Sequence, residues 1–148
     1  MVNRELVAPC GMYCGVCGVL IAHRDNNQPF KEKLAQFYGC PVEDLNCQGC
    51  MSSERAAFCE VCNIRSCTME KNYEGCYQCD DWPCEYIEQF SVPVGKKVIM
   101  RAVPQWREWG TEKWVEEEAK RYLCPNCGYP SFRGSPRCRQ CKEPLDLD

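Results

Sequence analysis

The chain has 148 residues, with sixteen cysteines, one histidine and a formal net charge of −3. That length suits one ordinary domain, or a small domain with an appendage, and cysteine at about 11% exceeds the ~8–10% that marks a short chain stapled by disulfides or metal. No run approaches the ~18 apolar residues of a membrane span, and the start, MVNRELVAPC, lacks the apolar core of a signal peptide, so a cytoplasmic chain is expected.

Cysteine density divides the chain into three. Residues 1–84 hold twelve cysteines, 85–123 none and 124–148 four. The expected organisation is a cysteine-rich metal-binding domain over 1–95, a helical connector over 96–123 and a zinc ribbon over 124–148. In chain order, VLIAH after Cys17 predicts a first helix. NQPFKEKLAQFYG predicts a second, with Pro29 in its first turn, an apolar stripe of Phe30, Leu34 and Phe37, and Gly39 as its stop. A third follows WPC, where Tyr86, Ile87 and Phe90 make a stripe. SVPVG at 91–95 reads as a break, and GKKVIMRAV fits helix or strand equally. TEKWVEEEAKRYL is a helix with Thr111 as N-cap, acids early and Lys120–Arg121 late. Its expected buried side is Trp114, Val115, Ala119, Tyr122 and Leu123, with Glu116–Glu118 solvating the outer face as Asp80–Asp81 do elsewhere. Trp106, Trp109 and Trp114 are expected to pack the cysteine-free segment onto the metal domain. The predicted fold class is a small metal-stapled protein: a mainly α-helical and irregular N-terminal domain with a C-terminal zinc ribbon.

A reducing cytosol would not keep sixteen cysteines paired as disulfides, which leaves metal ligation as the reading of the thiols. The spacing C-x2-C turns both thiolates toward one ion, and two such pairs complete a tetrahedral site. Cys124, Cys127, Cys138 and Cys141 form C-x2-C-x10-C-x2-C, which resembles a zinc ribbon, and Gly128 stands where its first knuckle needs positive φ. Among the other twelve, Cys14/Cys17, Cys47/Cys50, Cys59/Cys62 and Cys76/Cys79 are pairs; Cys10, Cys40, Cys67 and Cys84 are single. C-x2-C-x4-C occurs twice, at Cys59, Cys62, Cys67 and at Cys76, Cys79, Cys84. Twelve thiols make three four-thiolate sites, giving an expected total of 3–4 zinc ions, but the spacing leaves their grouping open. Adjacent pairing would join Cys14/Cys17 with Cys47/Cys50. Cys40 is the doubtful ligand, since a small residue closing the helix after Gly39 would look the same. His23 reads as a surface or helix histidine.

Stabilisation is the default role for such ions. A structural zinc contributes about 10–16 kcal/mol of apparent folding energy, against ~2–5 kcal/mol for a disulfide. Cys10, Cys14 and Cys17 also have the C-x3-C-x2-C spacing of radical-SAM enzymes, but the chain lacks the length and β/α alternation of their barrel. An iron–sulfur redox protein is an alternative, because four thiolates suit iron as well as zinc. Thioredoxin-like chemistry lacks its βαβ setting. With one histidine, no Gly-rich phosphate loop and no Ser/His/Asp arrangement, no catalytic residue is assigned, and the chain leans away from being an enzyme.

Charge bears on partners. Sixteen thiolates and four divalent ions would take the formal charge from −3 to −11, which disfavours nucleic acid overall. Residues 120–142 nevertheless carry six basic residues and no acid, with Tyr129 and Phe132 available to stack on bases. A nucleic-acid-binding adaptor acting through Arg133, Arg137, Arg139 and Lys142 is therefore the second alternative. The first choice remains a non-catalytic interaction or regulatory module. Partner and oligomeric state are left open.

Taken together, APCGMYCGVC at 8–17, CQGC at 47–50, CNIRSCTMEK at 62–71 and CYQCDDWPCEYI at 76–87 resemble an uncharacterised prokaryotic family of cysteine-rich proteins classed as a domain of unknown function. The resemblance covers about residues 5–90. It implies zinc binding by the matching cysteines and a bacterial or archaeal cytosolic protein, and no reaction. Cys40 lies outside these motifs, and the ribbon is an addition to them.

Overall fold

The computed structural model describes residues 1–147, so only Asp148 at the end of the expected ribbon lies outside it. Among the described residues there are α-helices and short 3₁₀ turns, and β-structure is limited to three isolated bridges. The helices are α1 (Gly18–Arg24), α2 (Gln28–Tyr38), α3 (Ala57–Glu60), α4 (Asn63–Glu70), α5 (Glu85–Glu88), α6 (Pro93–Trp109) and α7 (Thr111–Arg121). The mainly helical and irregular class read from the sequence is the one observed.

Each early helix has a local cause. For α2, the Asn27 side chain accepts from the Phe30 N–H at 3.1 Å, and Gly39 stops the helix at φ 67°. Its stripe is rotated from the expected one, because Lys31 and Ala35 are buried while Phe37 is 67% exposed. Lys31 pairs its ammonium with His23 Nδ1 at 3.0 Å and with Asn46, which explains a lysine at a buried position.

The segment 91–109 departs most from the sequence reading. The break is confined to Ser91–Val92, and α6 runs from Pro93 through Trp109. Gly95, Val98, Ile99, Ala102, Val103 and Trp106 are all buried, a stripe at helical spacing that continues past Pro104. Pro104 is exposed, so the hydrogen bond that it cannot make is lost on the wet side. One face of this helix therefore supplies core residues. Ile99 and Val103 pack with Ala8, Cys10, Cys50, Ile64, Cys76 and Ile87. Val98, Ala102 and Trp106 pack with Val7 and Trp114. This is the packing expected of the tryptophans.

Two details of α7 need correction. Gly110 holds the cap position, and Thr111 instead accepts from Trp106 Nε1 at 2.9 Å and donates to Glu74 at 2.8 Å. Ala119 and Leu123 are exposed, and Glu118 is buried in their place, held by Arg101 at 2.5 and 3.2 Å. A bidentate arginine makes that carboxylate tolerable indoors.

Trp106 is fully buried, stacked on Trp114 at 4.4 Å and tilted against Tyr77 at 4.4 Å. Trp106→Ala is expected to cost about 3–5 kcal/mol, while Phe37→Ala should stay within about 0.5 kcal/mol. Denaturant midpoints of the two variants, measured on metal-loaded protein, check both.

Candidate metal centres

The ribbon is built from two copies of one turn. Cys124 N–H donates to Tyr129 O and Gly128 N–H to Cys124 O, at 2.9 and 2.8 Å. Fourteen residues on, Cys138 N–H donates to Glu143 O and Lys142 N–H to Cys138 O, at 2.9 and 3.1 Å. Bridges Leu123–Pro130 and Arg137–Pro144 close the two turns. Gly128 has φ 77°, as expected, and Lys142 has φ 66° at the equivalent position of the second turn. Only the first of these is signalled by a glycine. The turns bring Cys124, Cys127, Cys138 and Cys141 together with every sulfur within 4.8 Å of the others. Sulfur separations are 3.7 Å for Cys124–Cys141 and 3.6 Å for Cys127–Cys138. A tetrahedral zinc with 2.3 Å bonds requires sulfurs about 3.8 Å apart. The arrangement fits a single four-thiolate ion.

The metal-free thiols of this site are tuned unequally. Hydrogen bonds from Asn126 and from the Glu143 backbone pull Cys141 down to about 6. For Cys127, the Tyr129 backbone N–H lowers the value, but desolvation and the neighbouring thiols outweigh it and push the group up to about 12. One thiolate thus stands ready at neutral pH.

A second group lines a cleft of about 230 Å³ between α4 and α5. Cys67 comes from α4, Cys76 and Cys79 from the following turn, and Cys84 from the start of α5. Lys71, one helical turn after Cys67, brings its ammonium 3.7 Å from Cys79 Sγ. The Cys79 and Cys67 sulfurs raise the Lys71 value further. Burial pushes Cys76 up to about 12, and the Cys84, Cys79, Cys67 and Cys62 sulfurs add to it. Arg107 fixes this turn to α6 by donating to the carbonyls of Tyr77 and Cys79 at 2.9 and 3.0 Å.

The remaining eight thiols fall in two core regions. Cys10 and Cys50 belong to the buried cluster around Ile99, with Cys14 and Cys62 packed against it. Cys47 belongs to another, with Val19, Ala35, Leu45 and Ala56, and Cys17, Cys40 and Cys59 pack against that one. Burial pushes Cys10 and Cys50 up to about 12, and raises Cys14, Cys47 and Cys59 as well. Neutral thiols are what an apolar interior without an ion should hold. Arg55 and Arg65 both donate to the Cys50 carbonyl, at 3.0 and 3.2 Å.

Of the four basic residues considered for nucleic acid, Arg133 is turned inward. It donates to Tyr13 O at 3.3 Å, and its own N–H bonds Val16 O at 2.8 Å. Burial alone would lower the Arg133 value, but the Cys17, Tyr122, Cys14 and Cys10 groups around it raise it. Beside it, Phe132 packs on Phe30 at 4.9 Å, and Arg139 lies 5.6 Å over the Phe30 ring. Arg137 and Lys142 are exposed at the knuckle, donating to the carbonyls of Lys142 and Arg139. Lys71 carried a legible signal, its i+4 spacing from Cys67. Arg133 carried none, since its partner is 120 residues away.

The chain belongs to a family described as "Protein of unknown function (DUF3795)", which matches residues 6–89. Those residues contain all twelve cysteines from Cys10 to Cys84. No curated protein and no solved structure matches the chain.

In reduced, metal-stripped protein at pH 7, Cys141 is expected to alkylate well ahead of Cys10, Cys50 and Cys76. A lowered value leaves Cys141 a thiolate above about pH 6, and protonation should slow it at pH 5. The raised thiols should stay protonated and slow through pH 9. Peptide mapping after brief iodoacetamide treatment reads the order.

Proposed function

We propose that the chain is a multi-site zinc–thiolate protein, a non-catalytic interaction or regulatory module whose bound ions add stability to an N-terminal domain already organised around α6. The observation that carries this is the ribbon: four sulfurs at single-ion separation, placed by two matching turns. Zinc is favoured over an iron–sulfur cluster there because sulfurs 3.6–3.7 Å apart surround one ion and leave no room for several. A reducing bacterial or archaeal cytosol would keep the thiols available. The role as a module rather than an enzyme is supported by the single histidine, which the structure commits to Lys31 and Glu54.

Metal analysis of anaerobically purified protein is expected to find zinc at 3–4 ions per chain and no visible absorption band. Cys124→Ser combined with Cys138→Ser should remove one ion. Fewer than two ions, or a brown iron-containing preparation, would refute the proposal.

The nucleic-acid alternative rests on Arg137, Arg139 and Lys142, with Arg133 subtracted. If it holds, filter binding to single-stranded RNA or DNA should weaken steeply with salt, and replacing those three residues by alanine should flatten the slope. No retention at low ionic strength would dismiss it.

A further inference from the structure

We infer that the pairs Cys14/Cys17, Cys47/Cys50 and Cys59/Cys62 are each divided between two neighbouring ions. Cys10, Cys14, Cys50 and Cys62 hold one, and Cys17, Cys40, Cys47 and Cys59 hold the other. This rests on the metal–thiolate reading and goes beyond it, because C-x2-C spacing ordinarily places both thiols on one ion.

The first support is partition by packing. Among the described residues only the ribbon's sulfurs already stand at single-ion separation, so the other sites are argued from packing: four thiols line the α4–α5 cleft, and the remaining eight separate four and four. Cys10, Cys14, Cys50 and Cys62 share the cluster of Ile64, Ile87 and Ile99, which Cys76 and Cys84 join from the α4–α5 cleft. Cys17, Cys40, Cys47 and Cys59 share the cluster of Val19, Ala35 and Leu45. Each of the three pairs has one member in each.

Local hydrogen bonding agrees. The N–H of Cys50 donates to Cys14 Sγ at 3.4 Å, across 36 residues, which ties those two cysteines to one site. Cys47 Sγ instead accepts from Gly49 N–H at 3.4 Å. Cysteines also stand at the N-cap positions of α1, α4 and α5, namely Cys17, Cys62 and Cys84, and none makes a side-chain cap bond. Serine, threonine, asparagine or aspartate at those positions would satisfy the orphan N–H groups. Sulfurs placed there and capping nothing are explained by ligation elsewhere.

Charge is consistent with two neighbouring sites. A divalent ion with four thiolates carries −2, and a buried cation close to both would offset that charge. Arg133 enters from the ribbon and is held on both sides of Cys14–Cys17, its guanidinium donating to Tyr13 O at 3.3 Å next to Cys14 and its N–H to Val16 O at 2.8 Å next to Cys17, so it meets one thiol of each set. Cys40 supplies the fourth ligand of the second site. It packs on the same cluster as Cys17, Cys47 and Cys59, and the turn after Gly39 fixes it there through Cys40 N–H to Ala35 O at 3.0 Å. Closing the helix and binding the ion are thus one placement rather than rival readings.

Cadmium-113 NMR on the full chain, stripped and reloaded with cadmium alone, decides the division without any substitution. The Hβ protons of Cys14 and Cys50 should couple to one cadmium, and those of Cys17, Cys40 and Cys47 to another. Cys14 and Cys17 on the same cadmium would overturn the division and leave the metal reading intact. Bound cadmium confined to the ribbon would overturn both. Native mass spectrometry gives a second measurement. Cys47→Ser with Cys50→Ser should lower the occupancy by two ions, where conventional pairing loses one. Cys40→Ser should shed one ion to a chelator that the unsubstituted chain withstands, and equal retention would remove Cys40 from the site.

Discussion

Trp106 stacks on Trp114 and lies against Tyr77, and through those contacts α6 holds parts of the chain that have little regular structure of their own. The terminal arm reaches it through Val7, the turn at Cys76 through Gly75 and Tyr77, and α7 through Trp114. A Cβ on Gly75 would come within 2.3 Å of the Trp106 ring, so the cysteine turn can sit this close only without a side chain. Next to that contact, Cys76 N–H bonds Pro9 O at 2.8 Å, joining the turn to the segment that leads into Cys10. Glu74 closes the arrangement by accepting from Arg4, Tyr77 and Thr111. The apolar helix is thus the reference frame in which loops from opposite ends of residues 1–84 present their thiols. Ions could lock that arrangement; α6 brings the loops near enough to be locked.

The distribution of cations follows from the thiols. Lys71 lies at Cys79, Arg55 and Arg65 hold the Cys50 carbonyl, and Arg133 stands among Cys10, Cys14 and Cys17. Each is a donor with no acceptor capacity, placed where thiolate charge would collect once protons leave. Burial keeps Cys10, Cys50 and Cys76 protonated. Metal binding there would release those protons and complete the pairing, which would link folding, ion loading and pH through one set of groups.

What was legible in the sequence had local causes. The starts and stops of α2 came from Pro29 and Gly39, and the ribbon from its two knuckles with Gly128. The family matching residues 6–89 has the extent that the cysteine motifs suggested. Elsewhere the pattern misled for physical reasons. Pro93, Gly95 and Pro104 broke the look of α6, although each occupies a position that a helix tolerates: its first turn, a close contact with Phe90, or the wet face. Glu118 looked like solvent-facing charge because its partner, Arg101, belongs to the preceding helix. The grouping of thiols was illegible because C-x2-C spacing records only that two sulfurs are near each other along the chain. It does not record which core region each one enters.

Arg133 changes how the ribbon should be regarded. By cysteine density it is an appendage, separated from the other thiols by a stretch of thirty-nine residues without one. In the fold, Phe132 packs against Phe30, the Arg133 N–H bonds Val16 O, and its guanidinium enters among the first three cysteines. Those contacts come from the loop between the two knuckles, whose course depends on both knuckles being held together. An ion that closed the ribbon's four thiols would also steady the loop that carries Arg133 to the N-terminal thiols. The loop between the last four cysteines thus forms part of the surroundings of the first three, a contact that cysteine density along the chain does not record.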